Sequence, residues 1–298
     1  MASKTQKRSG SGIRVFILGL LGLALLIAVL LHGHNIALFN PQGLMADEQL
    51  RLIIFAALFP LTIAVPTVAF LYYTAWKYRE TNSDATYEPE QKHGKLFNVG
   101  IWLVPAVFMM VMSGVMWTST HRLEPQKAIA ATAKPLTVQV VALRWKWLFI
   151  YPEQKIATVN FLQIPKDTPV RFELTADDAP MSAFWIPNLG GMLYAMTGHV
   201  NLLNLMSHTT GDYPGSVAEI NGAGFADMRF TARVSSREDF DAWVQATHFS
   251  PEVLDAAAYT KLLSPSAGNP PAFYSEYDSS LYDKVLMKYT GSHESHSH

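Results

Sequence analysis

The chain reads as a membrane α-helical hairpin, with a third N-terminal helix if its first apolar run is retained, followed by an all-β Greek-key sandwich and a short C-terminal helical segment. Three observations predict this. Leu52 to Trp76 and Leu96 to Thr120 contain no Asp, Glu, Lys or Arg. From Pro135 the apolar period becomes two, and after Ser235 it returns to helical spacing. With 298 residues, only 16% of them charged, and a mean hydropathy of +0.12, the chain is too apolar for a soluble protein of its length.

Residues 1–34 read as a signal sequence or an uncleaved first membrane helix. Lys4, Lys7, Arg8 and Arg14 precede an uncharged run from Val15 to Leu31. That run lies at the short end of what spans a bilayer and beyond a usual signal core. Leu30 to His34 offer no small-residue cleavage pattern, which favours retention. Residues 35–125 hold the hairpin, with membrane helices over 52–76 and 96–120, each long enough to cross ~30 Å of hydrocarbon. Pro60, Pro66 and Pro105 lie inside them and are tolerated, because neighbouring groups in lipid satisfy the freed carbonyls. The loop 77–95 carries Lys77, Arg79, Lys92 and Lys95 and is therefore cytoplasmic. Everything after His121 then lies outside, and the basic N-terminus agrees.

The sandwich occupies residues 126–235. Leu136, Val138 and Val140 alternate with Thr137 and Gln139. Val170, Phe172 and Leu174 alternate with Arg171 and Glu173, and Met228, Phe230, Ala232 and Val234 with Arg229, Thr231 and Arg233. The pattern predicts antiparallel strands, with breaks at Pro165 to Asp167, Asn188 to Gly191 and Gly211 to Gly215. Residues 236–290 form the C-terminal helical segment. Ser236, followed by Glu238 and Asp239, is a helix N-cap, and further helices are expected over Pro251 to Leu263 and Ser279 to Tyr289, separated by a loop at 264–271. Residues 291–298 are expected to be a disordered tail whose His293, His296 and His298 are incidental.

Several function classes are excluded. A formal charge of −1 leaves no basic excess to neutralise phosphates, so nucleic acid is not a partner. With no cysteine, disulfides, iron–sulfur clusters and thiolate metal sites are impossible.

Arg144 to Pro152 (RWKWLFIYP), Ala183 to Gly190 (AFWIPNLG) and Leu193 to Met196 (LYAM) resemble cytochrome bo-type ubiquinol oxidase subunit II, the quinol branch of the haem–copper oxidase subunit II family, from about Asn35 to Tyr289. The resemblance implies a helix hairpin carrying a cupredoxin-like domain. In the branch that accepts electrons from cytochrome c, that domain holds a two-copper centre through an early His and the cluster C-x-E-x-C-x3-H-x2-M. Laid on this chain, the pattern puts Ser182 at the first His, Val217 and Asn221 at the cysteines and Phe225 at the second His, and only Glu219 and Met228 match. With the thiolates that suit soft copper gone, the resemblance implies no metal, no cofactor and no catalytic residue on this chain. It further implies a non-catalytic subunit of a complex that oxidises ubiquinol, reduces dioxygen to water and translocates protons. Haems, copper and quinol would be bound by subunit I, with subunits III and IV and membrane lipid as further partners and no role for cytochrome c. The location implied is the bacterial inner membrane, multi-pass, with the C-terminal domain periplasmic.

Two positions depart from the family. His34 stands where many quinol-branch chains carry an acylated cysteine, so no thioether lipid can form. Asn98 stands where the family has a glutamate four residues before a tryptophan, here Trp102, and an amide cannot exchange protons at neutral pH. Glu88 and Glu90 read as a solvated loop pair. Met228 reads as a core methionine, Trp145 and Trp147 as sandwich packing, Met109, Met110, Met112 and Met116 as gap-fillers, and His199 and His208 as surface or structural histidines. A different class, a membrane-tethered copper-delivery or assembly protein on the same scaffold, would need a surface Met/His/Cys cluster, and the sandwich sequence shows none.

Overall fold

The computed structural model describes residues 17, 21–22, 24–25, 27–28, 36–84, 94–131 and 133–290. The chain divides into a unit ending at Asn40 and one beginning at Pro41. In the first, the described residues between Val15 and Leu31 are helical and exposed, and Ala37–Phe39 makes one 3-10 turn. His34, Glu88, Glu90, Lys92 and the tail 291–298 lie outside the described residues.

The second unit opens with helices α1 (Leu44–Lys77) and α2 (Lys95–Arg122), both long and apolar enough to cross a membrane. Phe59 stacks on Phe108 at 4.4 Å between centroids, and Arg122 pairs with Glu48 near the other ends. The helix α1 starts well before the apolar stretch that predicts it, and the reason lies in the sandwich. A helix start leaves backbone N–H groups unpaired. Here Leu44 N donates to Met206 O at 3.1 Å, Ala46 N to Leu189 O at 3.2 Å and the preceding Gln42 N to Asn188 O at 2.7 Å. The contact needs glycine on both sides. A Cβ on Gly43 would come within 2.7 Å of Leu189 O, and one on Gly190, whose φ is +125°, within 2.7 Å of Met45 Cβ. His208 Nε2 lies 3.4 Å from Asp47 Oδ2 across the same junction.

The sandwich strands are β1 (Leu136–Leu143), β2 (Lys146–Tyr151), β3 (Ile156–Val159), β4 (Phe161–Pro165), β5 (Val170–Ala176), β6 (Ser182–Ile186), β7 (Gly190–Ala195), β8 (Asn201–Leu205), β9 (Gly211–Val217) and β10 (Arg229–Ser235). One sheet runs β3-β2-β1-β5-β8 and the other β4-β10-β9-β6-β7. The alternation expected for β1, β5 and β10 faces as expected: Val138, Val140, Phe172, Leu174, Phe230, Ala232 and Val234 are buried in one shared core, and Met228 with them. Most of the sandwich pairing is antiparallel, as expected, with two exceptions. The pairs β1–β5 and β4–β10 are parallel, because the chain visits other strands before returning beside each partner. The break expected at Gly211 to Gly215 is instead most of β9. Its Pro214 pairs with Thr231 of β10, whereas β6 reaches β9 only at Ser216 and Val217. On its other side β9 is locally an edge, where a missing N–H is harmless. Gly215 is required because a Cβ there would sit 2.1 Å from the Phe230 ring.

After β10 come α3 (Arg237–His248), β11 (Val253–Leu254), α4 (Ala256–Leu263), β12 (Ala272–Tyr274), β13 (Glu276–Tyr277) and α5 (Leu281–Thr290). Ser236 caps α3, its hydroxyl accepting from Asp239 N at 3.0 Å. The helix expected over Pro251 to Leu263 is shorter, since Val253 and Leu254 pair with β13 and Asp255 caps α4 through Ala258 N. The strand β12 adds to the edge of β3, a pairing that its own short sequence does not announce.

Candidate functional site

The turn and loops at one end of β6, β9 and β10 gather all six positions of the degenerate metal pattern. Ser182 opens β6, Val217 closes β9, and Met228 precedes β10 after a 3-10 turn over Phe225–Asp227. The backbone locks them in register: Val217 N donates to Met228 O at 3.2 Å, Ala218 N to Ala183 O at 2.9 Å, and Met228 N to Phe225 O at 3.2 Å. Ser182, Val217, Asn221 and Met228 are buried, while Phe225 packs on the core from its rim. Glu219 accepts a hydrogen bond from the Tyr194 phenol, which raises the pKa of that phenol.

One side chain ties the cluster together. The Asn221 amide nitrogen donates to Ser182 Oγ at 2.9 Å and to Met228 Sδ at 3.1 Å, and Ser182 Oγ donates in turn to Pro180 O at 2.9 Å. The donors available to a metal are thus a hydroxyl, an amide and a thioether whose lone pair already accepts a hydrogen bond. None is a thiolate or an imidazole, the ligands that hold soft copper, and a resident copper ion does not fit this set. Among the described residues no three His, Asp or Glu side chains converge as a metal ligand group either.

Trp147 and Trp145 both pack on the sandwich core as expected, Trp147 within it and Trp145 from its rim. Trp147 is fully buried and meets Phe184 edge-on at 5.3 Å, the packing role expected of both. Trp145 occupies the tight turn between β1 and β2 with φ +64°, a region in which side chains other than glycine are strained. Its indole lies on the loop that carries Asn221. A Cβ on Gly224 would sit 2.4 Å from the ring, and one on Gly222 would sit 3.3 Å from Nε1. Trp145 Nε1 and Asn221 Oδ1 are both buried without a hydrogen-bond partner among the described residues.

A second constellation went unseen in the sequence. Asp177, 2% exposed, accepts from Tyr259 Oη at 2.6 Å, Tyr289 Oη at 2.7 Å and Lys288 Nζ at 2.7 Å. Burial and the neighbouring carboxylate push the Tyr259 phenol far above its ordinary range, so it remains a donor. Lys146, 1% exposed, donates to Leu262 O and Ser264 O, each at 2.9 Å, and to Ser266 Oγ at 2.6 Å. Desolvation lowers its pKa. The two residues clasp the C-terminal segment onto the outer face of the β1–β2–β3 sheet. There Val141, Leu143, Leu148, Ile150 and Val159 form a second core with Leu254, Tyr259, Tyr274, Tyr282 and Val285. A signal was present, since Val140 to Leu143 and Leu148 to Tyr151 are unbroken apolar runs, and such runs mark strands buried on both faces. His199 and His208 lie outside both constellations.

Residues 152–234 match the family described as Cytochrome C oxidase subunit II, periplasmic domain, and residues 248–293 match the COX Aromatic Rich Motif. The chain is 40% identical over 267 residues to a Pseudomonas aeruginosa protein named Cytochrome bo(3) ubiquinol oxidase subunit 2, covering 90% of this chain and 80% of that one. It is 41% identical over 263 residues to the protein of the same name from Pseudomonas putida, covering 88% and 83%. It is also 40% identical over 278 residues to Ubiquinol oxidase subunit 2 of Acetobacter aceti, covering 93% and 89%.

Proposed function

Since the chain belongs to the ubiquinol oxidase subunit 2 family, we propose that it is the copper-free, non-catalytic subunit II of a quinol oxidase, anchoring a periplasmic cupredoxin-like domain beside a haem-bearing subunit I. In this reading the complex takes electrons from ubiquinol, reduces dioxygen to water and translocates protons, with the haems, copper and quinol held by subunit I. Subunits III and IV complete the assembly, and cytochrome c has no part because no redox centre on this chain could receive its electron.

The observation that carries the reading is the Asn221 amide. It spans Ser182 and Met228, the positions of a histidine and the methionine in the copper-bearing pattern, and so supplies a link between β6 and β10 that a metal would otherwise supply. Val217 and Phe225 place hydrocarbon at two more of the six ligand positions. Asn98, in the first turn of α2, cannot relay a proton, so proton entry would run through another subunit.

Purification through a tag on this chain tests the proposal. The expected result is copurification of a haem-bearing subunit, quinol oxidase activity, and copper no greater than subunit I accounts for. Absence of haem and of quinol oxidation, or one to two further copper equivalents that vary with residues 182 and 221, would overturn it.

A further inference from the structure

The two ends of the hairpin treat their cations differently. At the sandwich end, Arg51 and Arg122 both pair with Glu48. At the loop end, Lys77 and Arg79 have no carboxylate within ion-pair distance among the described residues. They lie on aromatic faces instead. Lys77 Nζ is 5.9 Å from the Tyr73 centroid and 5.4 Å from that of Tyr78, and the Arg79 guanidinium is 5.2 Å from Trp76. Arg79 also donates to Trp76 O at 3.3 Å and to Thr81 Oγ1 at 3.0 Å, which fixes its head against the last turn of α1.

Depth along α1 places this cluster at a membrane surface. Arg51 is the last charged residue before the apolar span, and about 20 helical residues cover ~30 Å of hydrocarbon, which ends near Leu71. The next residues are the aromatic ones. Tyr73, Trp76 and Tyr78 are 53%, 47% and 58% exposed, at the level where amphipathic rings meet headgroups. Two cations held at that level with their charged heads over rings, and with no carboxylate partner among the described residues, suit a phosphate group that also carries acyl chains. Glu80 and Asp84 follow farther along the chain, and neither pairs with Lys77 or Arg79.

We propose that Tyr73, Trp76, Lys77, Tyr78 and Arg79 bind the headgroup of an anionic phospholipid. The phosphodiester accepts from the ammonium and the guanidinium, while the glycerol and upper acyl chains lie along the aromatic rings. Each cation near an anionic surface favours binding by roughly five-fold. The site rests on α1 crossing the bilayer and on no other part of the oxidase reading, so a chain that purified without haem would leave it standing.

The test uses the full-length chain, with the subunits that copurify, in nanodiscs containing brominated phosphatidylglycerol or brominated phosphatidylcholine at equal mole fraction. Subtracting the emission of a Trp76→Phe variant isolates Trp76. The expected result is several-fold stronger quenching of Trp76 by the phosphatidylglycerol probe. That preference should fall on the order of five-fold with each of Lys77→Gln and Arg79→Gln, and shrink at high salt. Equal quenching by both lipids, or a preference unchanged in the double variant, would overturn the proposal. Absence of quenching by either lipid would overturn it too, since a protein surface would then cover this face.

Discussion

Asn221 carries more of the site than its size suggests. A buried amide that donates to both a hydroxyl and a thioether cannot be shortened without losing the side-chain link between Ser182 and Met228. Asn221→Ala should destabilise the sandwich by about 1–3 kcal/mol, read as a shift of the denaturant midpoint of the purified protein. Asp177 is the corresponding residue of the clasp. Asp177→Asn removes a charge that three donors share, and hydrogen bonds to charged groups contribute roughly 1.5–3 kcal/mol. The variant should therefore loosen α5 first, seen as faster hydrogen exchange over 281–290 at unchanged exchange in β1. Arg233 grips Asp212 with two hydrogen bonds at 2.7 and 2.8 Å, which lowers the Asp212 pKa. A depressed carboxylate pKa gives stability that is full above the unfolded value of about 3.9 and is lost as pH falls through the folded value. Both side chains are about half exposed, so the contribution is under ~1 kcal/mol. The stability gap between wild type and Asp212→Asn should accordingly close below about pH 4, and a gap that widened in acid would contradict the assignment.

Among elements, α1 shows most clearly how tertiary contacts extend a local pattern. Its apolar span begins after Arg51, yet the helix begins at Leu44 because carbonyls of Met206 and Leu189 receive its first N–H groups. Gly190→Val would force a side chain into Met45 at a backbone angle that favours glycine. It should uncap α1 by about 1–3 kcal/mol, detected as new protease cleavage near Gly43 with the sandwich intact. The strand β9 makes the complementary point. Its Gly-Asp-Tyr-Pro-Gly sequence carries every mark of a turn, and it is a strand only because β10 offers a full ladder on one side and the Phe230 ring excludes a Cβ at Gly215.

Within the unit beginning at Pro41, the β1–β2–β3 sheet is a middle layer with a core on each face. One core lies between the two sheets of the sandwich, and a second lies between the β1–β2–β3 face and the C-terminal segment. A chain ending after Ser236 should expose Val141, Leu143, Leu148 and Ile150, bind a hydrophobic dye and aggregate, which a dye titration would show. The amino-acid sequence by itself determined two helices long and apolar enough to cross a membrane, the facing of β1, β5 and β10, the cap of α3 and the absence of any thiolate. All of these depend on periodicity or residue chemistry within a few neighbours. Only the tertiary structure decided the parallel pairings, the strand character of β9, the early start of α1, and the left-handed backbone at Trp145. It alone brought Asp177 to Tyr259 and Tyr289, and Asn221 to Ser182 and Met228. Those outcomes depend on hydrogen bonds and steric limits between residues distant along the chain, and no local pattern encodes a partner that arrives from elsewhere.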